Sequence, residues 1–572
     1  MQDQPSSQSK IEKNWDLIII GSGAGGMSTA VVAAHQGLKV LVLEKAAVIG
    51  GTSAWSGGWL WVPGNPLAKA AGIHELEGAP KTYINSVLGY ESQDPRIDHF
   101  LEKGPEMVEF FQSHTALKFI DGNRVPDFHE VPGALAGGRS VAAAPFDGKQ
   151  LGAWIHQLRS PLSVLSLQGM GIASGQDLKH FFDATRSLKS AWYVTKRLSQ
   201  HLWDLIRFRR GMQLVNGNAL MAALLKSALD RKVEIQTSAL VLALQTENER
   251  VTGLKAVIQG QTLSLTARCG VVIAAGGFPH DPQRQRELFP ARAGHRHFSA
   301  APKANTGDGL RLAESIGVTI QDSLVQAGAW APVSVVPSAD QSGIHFPHLI
   351  ERAKPGIIAV TRQGRRFVSE AESYHDFMRA LFDVTCEGEE PECWLIADHK
   401  AQRRWGLGWA KPFPFPLSPY VRSGYLKSGR TLTELAEQCG IDADTLNHTL
   451  KRFNADAEKG IDTEFHRGES PYNRVQGDPD HRPNPSLAPL HQGPFYAVKI
   501  QSGSLGTFAG IPTDTHARVL NANGQVTPGL YAVGNDMSSI FNGHYPSGGI
   551  TLGPAMTFGY IAALHAASQS LS

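Results

Sequence analysis

Two glycine-rich loops with an acid between them carry the clearest chemistry in the sequence. Gly21-Ser22-Gly23-Ala24-Gly25-Gly26 fits the G-x-G-x-x-G pattern, and Glu44 follows it at about the spacing, roughly 20 residues, of a ribose-binding acid. Gly21 permits a tight turn, Gly23 lets the backbone approach a pyrophosphate, and Gly26 lets helix and strand pack closely. Ala24 and Gly25 open the helix, whose N-terminal N–H groups hold negative charge. Lys45 leads into the second loop, Gly50-Gly51-Thr52-Ser53-Ala54-Trp55-Ser56-Gly57-Gly58. Its small residues, Gly51, Thr52, Ser53, Gly57 and Gly58, let backbone N–H groups reach phosphate and ring atoms. A long dinucleotide lying along a sheet fits both loops.

Such loops need a parallel sheet beneath them. Asp16-Leu17-Ile18-Ile19-Ile20 reads as a strand buried on both faces. Met27 to Gln36 reads as a helix closed by Gly37, and Lys39 to Leu43 as the next strand, ending at Glu44. Far downstream, Val271 to Phe278 reads as a buried strand carrying Ala275, Gly276 and Gly277 at its end. Gly529 to Asn535 reads as another, with Gly534 and Asn535 at its carboxyl end, where open α/β sheets bind ligands. The distance between these strands along the chain implies one cofactor domain interrupted by a large insertion.

Composition narrows the function classes. The chain has 572 residues, 42% of them hydrophobic and 19% charged, which suits a large folded core. A formal net charge of +2 gives no electrostatic case for nucleic acid. The four cysteines, Cys269, Cys386, Cys393 and Cys439, form no C-x-x-C pair, and the histidines show no H-E-x-x-H spacing, so no metal site is expected. No G-x-S-x-G elbow marks a serine hydrolase. The polar stretch Met1 to Trp15 lacks an apolar leader core, and no run is long enough to span a bilayer, so a cytoplasmic location is expected.

The motifs together resemble the fumarate reductase/succinate dehydrogenase flavoprotein superfamily, and within it the bacterial 3-ketosteroid Δ1-dehydrogenases. Beyond the two loops, the resemblance rests on Asn305-Thr306-Gly307-Asp308-Gly309, on Gly364-Arg365-Arg366-Phe367-Val368-Ser369-Glu370 with Tyr374 after it, and on Tyr545-Pro546-Ser547-Gly548-Gly549-Ile550-Thr551-Leu552-Gly553. It implies a Rossmann-like FAD domain built from both chain ends, 1–280 and 491–572, with an α+β catalytic cap inserted at 281–490. Asn305, Gly307, Asp308, Thr551 and Leu552 join the cofactor set, with Leu240 and Val241. Succinate dehydrogenases attach FAD through a histidine placed where this chain has Gly51, so the resemblance implies non-covalent FAD.

The resemblance also assigns roles. Tyr374 is the base that takes a proton beside a ketone, while Tyr545 and the Gly549 N–H hydrogen-bond the ketone oxygen, where enolate charge develops. A hydride from the neighbouring carbon goes to the flavin. The family passes the proton on through a second tyrosine in a Pro-Asp-Tyr-Tyr segment. This chain reads Val125-Pro126-Asp127-Phe128-His129 there, so Phe128 lacks the hydroxyl and His129 is the alternative acceptor. Acid-reducing relatives have an arginine at Tyr374 and cationic clamps in loops that are here Gly506 to Gly510 and Tyr545 to Gly549. A neutral, apolar cyclic ketone fits better, with a quinone-type acceptor for the electrons. The Phe128 change keeps open a Δ4-(5α)-dehydrogenase or a desaturase of another cyclic ketone. A flavin carrier without turnover is the alternative from another class.

Two segments stand apart. Arg186 to Arg210 has basic and aromatic residues at helical spacing. It is read as a helix packing its aromatic stripe on the core with a solvated basic face; peripheral contact with an anionic inner membrane is the other reading. Gln476 to Pro489 is Pro-rich and reads as the linker returning from the cap or as a plain surface loop.

Overall fold

The computed structural model describes residues 12–570 apart from 123, 292–293, 295 and 339–342. The stretch searched for a leader thus lies mostly outside the described residues. Strand β1 (Asn14–Ile20) enters the sheet with Leu17, Ile18 and Ile19 fully buried. Helix α1 (Ala24–His35) returns the chain to β2 (Val40–Leu43), and β3 (Trp59–Trp61) follows the second glycine loop. Helices α2 (Leu188–Phe208) and α3 (Asn216–Asp230) lead to β4 (Glu234–Gln236), β5 (Leu240–Glu247), β6 (Arg250–Ile258) and β7 (Gln261–Ile273).

The insertion builds its own sheet from β8 (Val333–Val336), β9 (Ile344–Pro347), β10 (Ile357–Val360), β11 (Glu392–Ala397), β12 (Lys427–Gly429) and β13 (Phe495–Gln501). Helix α4 (Tyr374–Val384) lies between β10 and β11, and the short α5 (Pro471–Gln476) precedes β13. The chain closes with β14 (Arg518–Leu520), β15 (Val526–Ala532) and α6 (Leu552–Ser568).

The cofactor sheet runs β14-β15-β7-β1-β2-β4, with β6 on β7 and β5 on β6. Pairs β15/β7, β7/β1, β1/β2 and β2/β4 are parallel, so the strands from both chain ends point their carboxyl ends at one edge. Helix α1 packs between α3 and α6. Gly559 of α6 makes the last contact close: a Cβ there would meet Ser28 Oγ at 2.2 Å.

The insertion's sheet runs β9-β8-β13-β11-β10, with β12 on β13. Its strands alternate, as a sheet covered on both faces by different partners must. Ile358, Val360, Trp394, Ile396, Phe495 and Ala497 pack outward on the helix Ala443–Lys459, which carries Leu446, Leu450 and Phe453. Ile357, Ala359, Leu395, Ala397, Val498 and Ile500 face the main core. Both domains are thus α/β layers around one joined interior.

Three expectations need revision. Strand β13, beyond the expected boundary at 490, pairs with β11, so the return to the cofactor sheet comes at β14. The Pro-rich stretch 476–489 is therefore not the return linker: Leu487 and Leu490 sit in the insertion's outer core. Helix α2 is turned inside out relative to the preferred reading. Its buried residues are Ser190, Arg197, His201 and Asp204, while Trp192 is 74% and Trp203 58% exposed. The polar side goes inward because it has partners there. Arg197 and Tyr193 bind Asp177, His201 meets Gln168 O, and Asp204 accepts from Met212 N.

Candidate active site

The carboxyl edge of the cofactor sheet opens into a cavity of about 810 Å³ that runs on under the insertion. Every predicted cofactor residue lines it except Gly26, Gly277 and Gly307. Those three support the wall from behind. A Cβ on Gly26 would meet Gly21 O at 2.2 Å, one on Gly277 would meet Thr507 Oγ1 at 2.1 Å, and Gly307 takes φ 77° before the helix Asp308–Glu314. Gly21 itself holds φ 107°, where L side chains are strained.

The lining is prepared for a dinucleotide. The buried Glu44 carboxylate accepts from Ser22 N (3.0 Å), Ser22 Oγ (2.6 Å) and Ala46 N (2.8 Å), which fixes its position at the end of β2. Ser53 Oγ accepts from Ala24 N at 3.0 Å and joins the two loops. Lys45 pairs with Asp308 and donates to Thr306 Oγ1. Asn305 Nδ2 donates to Thr52 Oγ1 (3.2 Å) and Gly276 O (3.3 Å).

Two groups escaped the sequence reading. Asp536 is fully buried and accepts from Gly276 N at 2.7 Å; burial pushes its carboxyl up to about 6. Its place two residues after Gly534, at a strand's carboxyl end, was the available signal. Arg159 lines the cavity with its guanidinium over the Trp55 ring at 5.2 Å, and its buried Nε has no hydrogen-bond partner among the described residues. A lone arginine in an irregular stretch gives no sequence signal. A guanidinium with an unpartnered Nε beside a glycine cradle is what an anionic pyrophosphate cofactor would satisfy, so the residues fit FAD.

Beyond the cradle, Tyr374 and Tyr545 meet: the Tyr374 hydroxyl donates to that of Tyr545 at 2.7 Å. Tyr374 opens α4, capped by Ser373, whose Oγ accepts from Asp376 N. Burial pushes its phenol well above the usual range, with Tyr545 adding to the effect. Burial pushes Tyr545 up to about 12. Gly549 takes φ 101°, and a Cβ there would meet Trp59 O and Trp61 N at 2.7 Å. Its carbonyl accepts from Trp61 and Gly553, while its N–H donates to no group among the described residues. The Tyr545 hydroxyl and the Gly549 N–H thus belong to two residues lining one cavity, the kinds of donor an oxyanion site uses.

The loop bearing Phe128 and His129 is tied to the same turn. Phe128 N donates to Pro546 O, and the Tyr83 hydroxyl donates to Pro546 O while accepting from His129 N. Asp127 below accepts from Trp61 Nε1 and pairs with Arg139. The Phe128 ring stacks on Tyr545 at 5.8 Å and meets Tyr374 edge-on at 5.7 Å. His129 does not line the cavity; its Nε2 lies 3.7 Å from Asp376 Oδ2.

The motif before Tyr374 is structural. Arg366 and Arg467 both bind Glu370, Arg366 also binds Asp462, and all four are buried. Arg352 donates to the carbonyls of Glu370 and Glu372. This ionic frame sets where α4 begins.

A dinucleotide cradle opening onto a tyrosine pair and a free backbone N–H, inside a largely apolar cavity, defines a flavoprotein oxidoreductase. Comparison with known proteins gives the family. A family model described as an FAD binding domain matches residues 16–552, and the chain belongs to that family. It is 40% identical over 551 residues to the 4-oxocyclohex-2-ene-1-carboxylate 5-dehydrogenase of Sinomonas cyclohexanicum, covering 96% of this chain and 92% of that one. It is 35% identical over 575 residues to the 3-oxosteroid 1-dehydrogenase of Mycobacterium tuberculosis, covering 98% and 99%. The crystal structure of the 3-ketosteroid Δ1-dehydrogenase of Sterolibacterium denitrificans in complex with 1,4-androstadiene-3,17-dione matches with a TM-score of 0.90 at 34% identity, covering 97% of this chain and all of that one. The protein is an FAD-dependent dehydrogenase.

Proposed function

We propose that the protein desaturates a cyclic ketone at the bond beginning next to its carbonyl, and that a 3-ketosteroid, oxidised between C1 and C2, is its substrate. The Tyr374–Tyr545 pair beside the free Gly549 N–H, under an apolar roof, is the observation that carries this reading. The substrate ketone takes the place opposite Tyr545 and Gly549, and both donors strengthen as enolate charge grows on its oxygen. Tyr374, freed from donating to Tyr545, accepts the proton from the adjacent carbon as its phenolate. Gly549 lacks a side chain, so a flat ring can lie close to it. FAD, held without a covalent bond by the cradle, supplies the hydride acceptor. His129, with Asp376, is the proton's exit toward solvent, and a quinone-type molecule takes the electrons.

A second reading has its own support. The relative at 40% identity is named for a 4-oxocyclohexene carboxylate, and Phe128 replaces the hydroxyl that the ketosteroid enzymes are expected to carry there. Anaerobic mixing of the holoenzyme with androst-4-ene-3,17-dione and, separately, with 4-oxocyclohex-2-ene-1-carboxylate decides between them. Flavin bleaching with a 1,4-diene-3-one product supports the steroid reading. Bleaching by the carboxylate alone transfers the proposal to small cyclic ketones.

We also read α2 as a membrane-surface helix. Trp192, Leu202, Trp203 and Ile206 face outward among exposed Lys189, Lys196 and Arg207, and the residues of 186–210 exposed to solvent include no acid. The stretch just before α2 lines the cavity with Leu162, Leu178 and Phe182, so an apolar ketone could pass from lipid to site. No helix among the described residues is long and apolar enough to cross a membrane. The expected outcome is flotation with vesicles rich in anionic lipid, lost in the Trp192→Ser/Trp203→Ser variant. Equal flotation of both proteins would refute the contact.

A further inference from the structure

The insertion's wall of the cavity holds a cation with no counter-charge bound to it. Lys354 lines the cavity and is only 9% exposed. Its ammonium donates to Gln476 O and Gly477 O, each at 2.7 Å, and stands 5.4 Å from the centre of the Trp405 ring. Gln476, Gly477 and Trp405 line the cavity as well. An ammonium carries three donors, so one N–H of Lys354 is left without a partner among the described residues. No carboxylate among them pairs with it; Asp478 and Glu351 act on it only from a distance. A buried ammonium held by carbonyls and a ring face alone is costly.

The charges around Lys354 leave that N–H open. Glu351 lines the cavity too, but His348 Nδ1 lies 2.5 Å from its Oε1, and His348 Nε2 meets Ser334 Oγ at 2.7 Å. Asp478, also in the lining, accepts from Asp480 N at 3.1 Å. Arg404 is a second cation in the same wall. It pairs with Asp183 at 2.6 Å and donates to Phe182 O, while its buried Nε has no hydrogen-bond partner among the described residues. Part of the lysine's position has a structural cause, since its two carbonyls end α5 and a cation is favoured at a helix's carboxyl end. Capping uses two N–H groups and leaves the third unexplained, and an exposed lysine would serve it as well.

We propose that Lys354, with Arg404 beside it, receives a carboxylate of the substrate, so that the substrate class is a cyclic keto acid with its ketone at Tyr545 and Gly549 and its acid group on the insertion's wall. The inference rests on the dehydrogenation reading and narrows it. A carboxylate oxygen takes the spare N–H and brings the missing counter-charge, whereas a neutral substrate leaves the ammonium uncompensated. The same recognition serves a small ring or a steroid with an acidic side chain; only the reach between ketone and acid differs. Lys354 sets specificity and takes no part in the proton or hydride steps. Burial pushes Lys354 down to about 8, with Asp478 and Glu351 opposing and Arg404 adding to the effect. The empty site is therefore charged at neutral pH and loses its charge as pH rises through about 8.

The test uses the holoenzyme and two pairs of ketones, 4-oxocyclohex-2-ene-1-carboxylate and 3-oxochol-4-en-24-oate, each beside its own carboxamide, which has the same shape and no charge. In the pair that the wild type oxidises, kcat/KM for the acid should exceed that for the amide by about tenfold or more at neutral pH, the scale of one charge-assisted hydrogen bond. The acid-to-amide ratio should fall as pH rises through about 8, a readout in which the pH dependence of the base cancels. Lys354→Met should cut the ratio on the order of tenfold to a hundredfold, chiefly through KM for the acid. A ratio near one at every pH in the wild type, or one that Lys354→Met leaves unaltered, would overturn the inference and reduce Lys354 to a helix cap. Flavin absorbance checks folding; should Lys354→Met not retain FAD, the pH dependence of the wild-type ratio decides alone. Failure of the wild type to oxidise any of the four ketones, or androst-4-ene-3,17-dione, would instead overturn the reading beneath it.

Discussion

At the scale of single residues, the proposed donor and base are two tyrosines whose hydroxyls meet at 2.7 Å. On the proposed reading, Tyr545→Phe removes one of two donors to the ketone oxygen and should reduce kcat by roughly a hundred- to a thousandfold, the usual effect of losing one oxyanion donor. Tyr374→Phe should abolish turnover while flavin absorbance shows FAD still bound; substantial activity would remove Tyr374 as the base. Burial holds the Tyr374 phenol well above its ordinary value. The active phenolate is therefore scarce at neutral pH, and kcat/KM should climb with pH by up to about tenfold per unit. A flat profile from pH 7 to 10 would show that the base titrates elsewhere. These residues were legible because family motifs surround them. Arg159 was not, since it lies in a segment with no spacing of its own and only the fold brings it to the cavity.

At the scale of elements, the sequence disclosed strands better than their partners. Apolar runs such as Leu17 to Ile20 fit only a strand buried on both faces, and β1 is that strand. Strand β13 has the same apolar character, but nothing in its residues says whether it joins the first sheet or the inserted one. Helix α2 shows the complementary limit. Its periodicity defines two faces, but which face turns inward depends on Asp177, Gln168 and Met212, which offer partners to its polar side. The Arg366–Glu370–Arg467–Asp462 frame belongs to this scale too, because it joins two separate segments, one just before α4 and one far beyond it. Arg467→Met would leave Glu370 buried with one cation fewer. We expect a loss of about 3–5 kcal/mol, typical of breaking a buried ion pair, measured by denaturant unfolding. A smaller loss, below about 1 kcal/mol, would mean that Arg366 alone satisfies Glu370.

At the scale of the whole molecule, buried groups of the insertion make stability fall with acid. His375, buried against Tyr545 and Phe508, is pushed down to about 3 by burial. His297, wedged between Phe289 and Trp330, is likewise pushed down to about 3 by burial. Both are neutral when folded but take a proton near pH 6.5 when unfolded. Their contribution is fully present above that value and is lost as pH falls toward 3, by about 1.4 kcal/mol per unit for each histidine. Burial alone would push the Glu370 carboxyl up, but Arg366 and Arg467 outweigh it and hold it below the usual range. Glu370 therefore adds a loss only below about pH 4.3, where the unfolded carboxylate protonates. The expected curve of melting temperature against pH is level near neutrality, declines from about 6.5 and steepens below about 4.3. His375→Gln, which removes one titrating ring, should make the decline between pH 6 and 5 shallower by about half. A curve level down to pH 4.5 would show that neither histidine is held neutral by the fold.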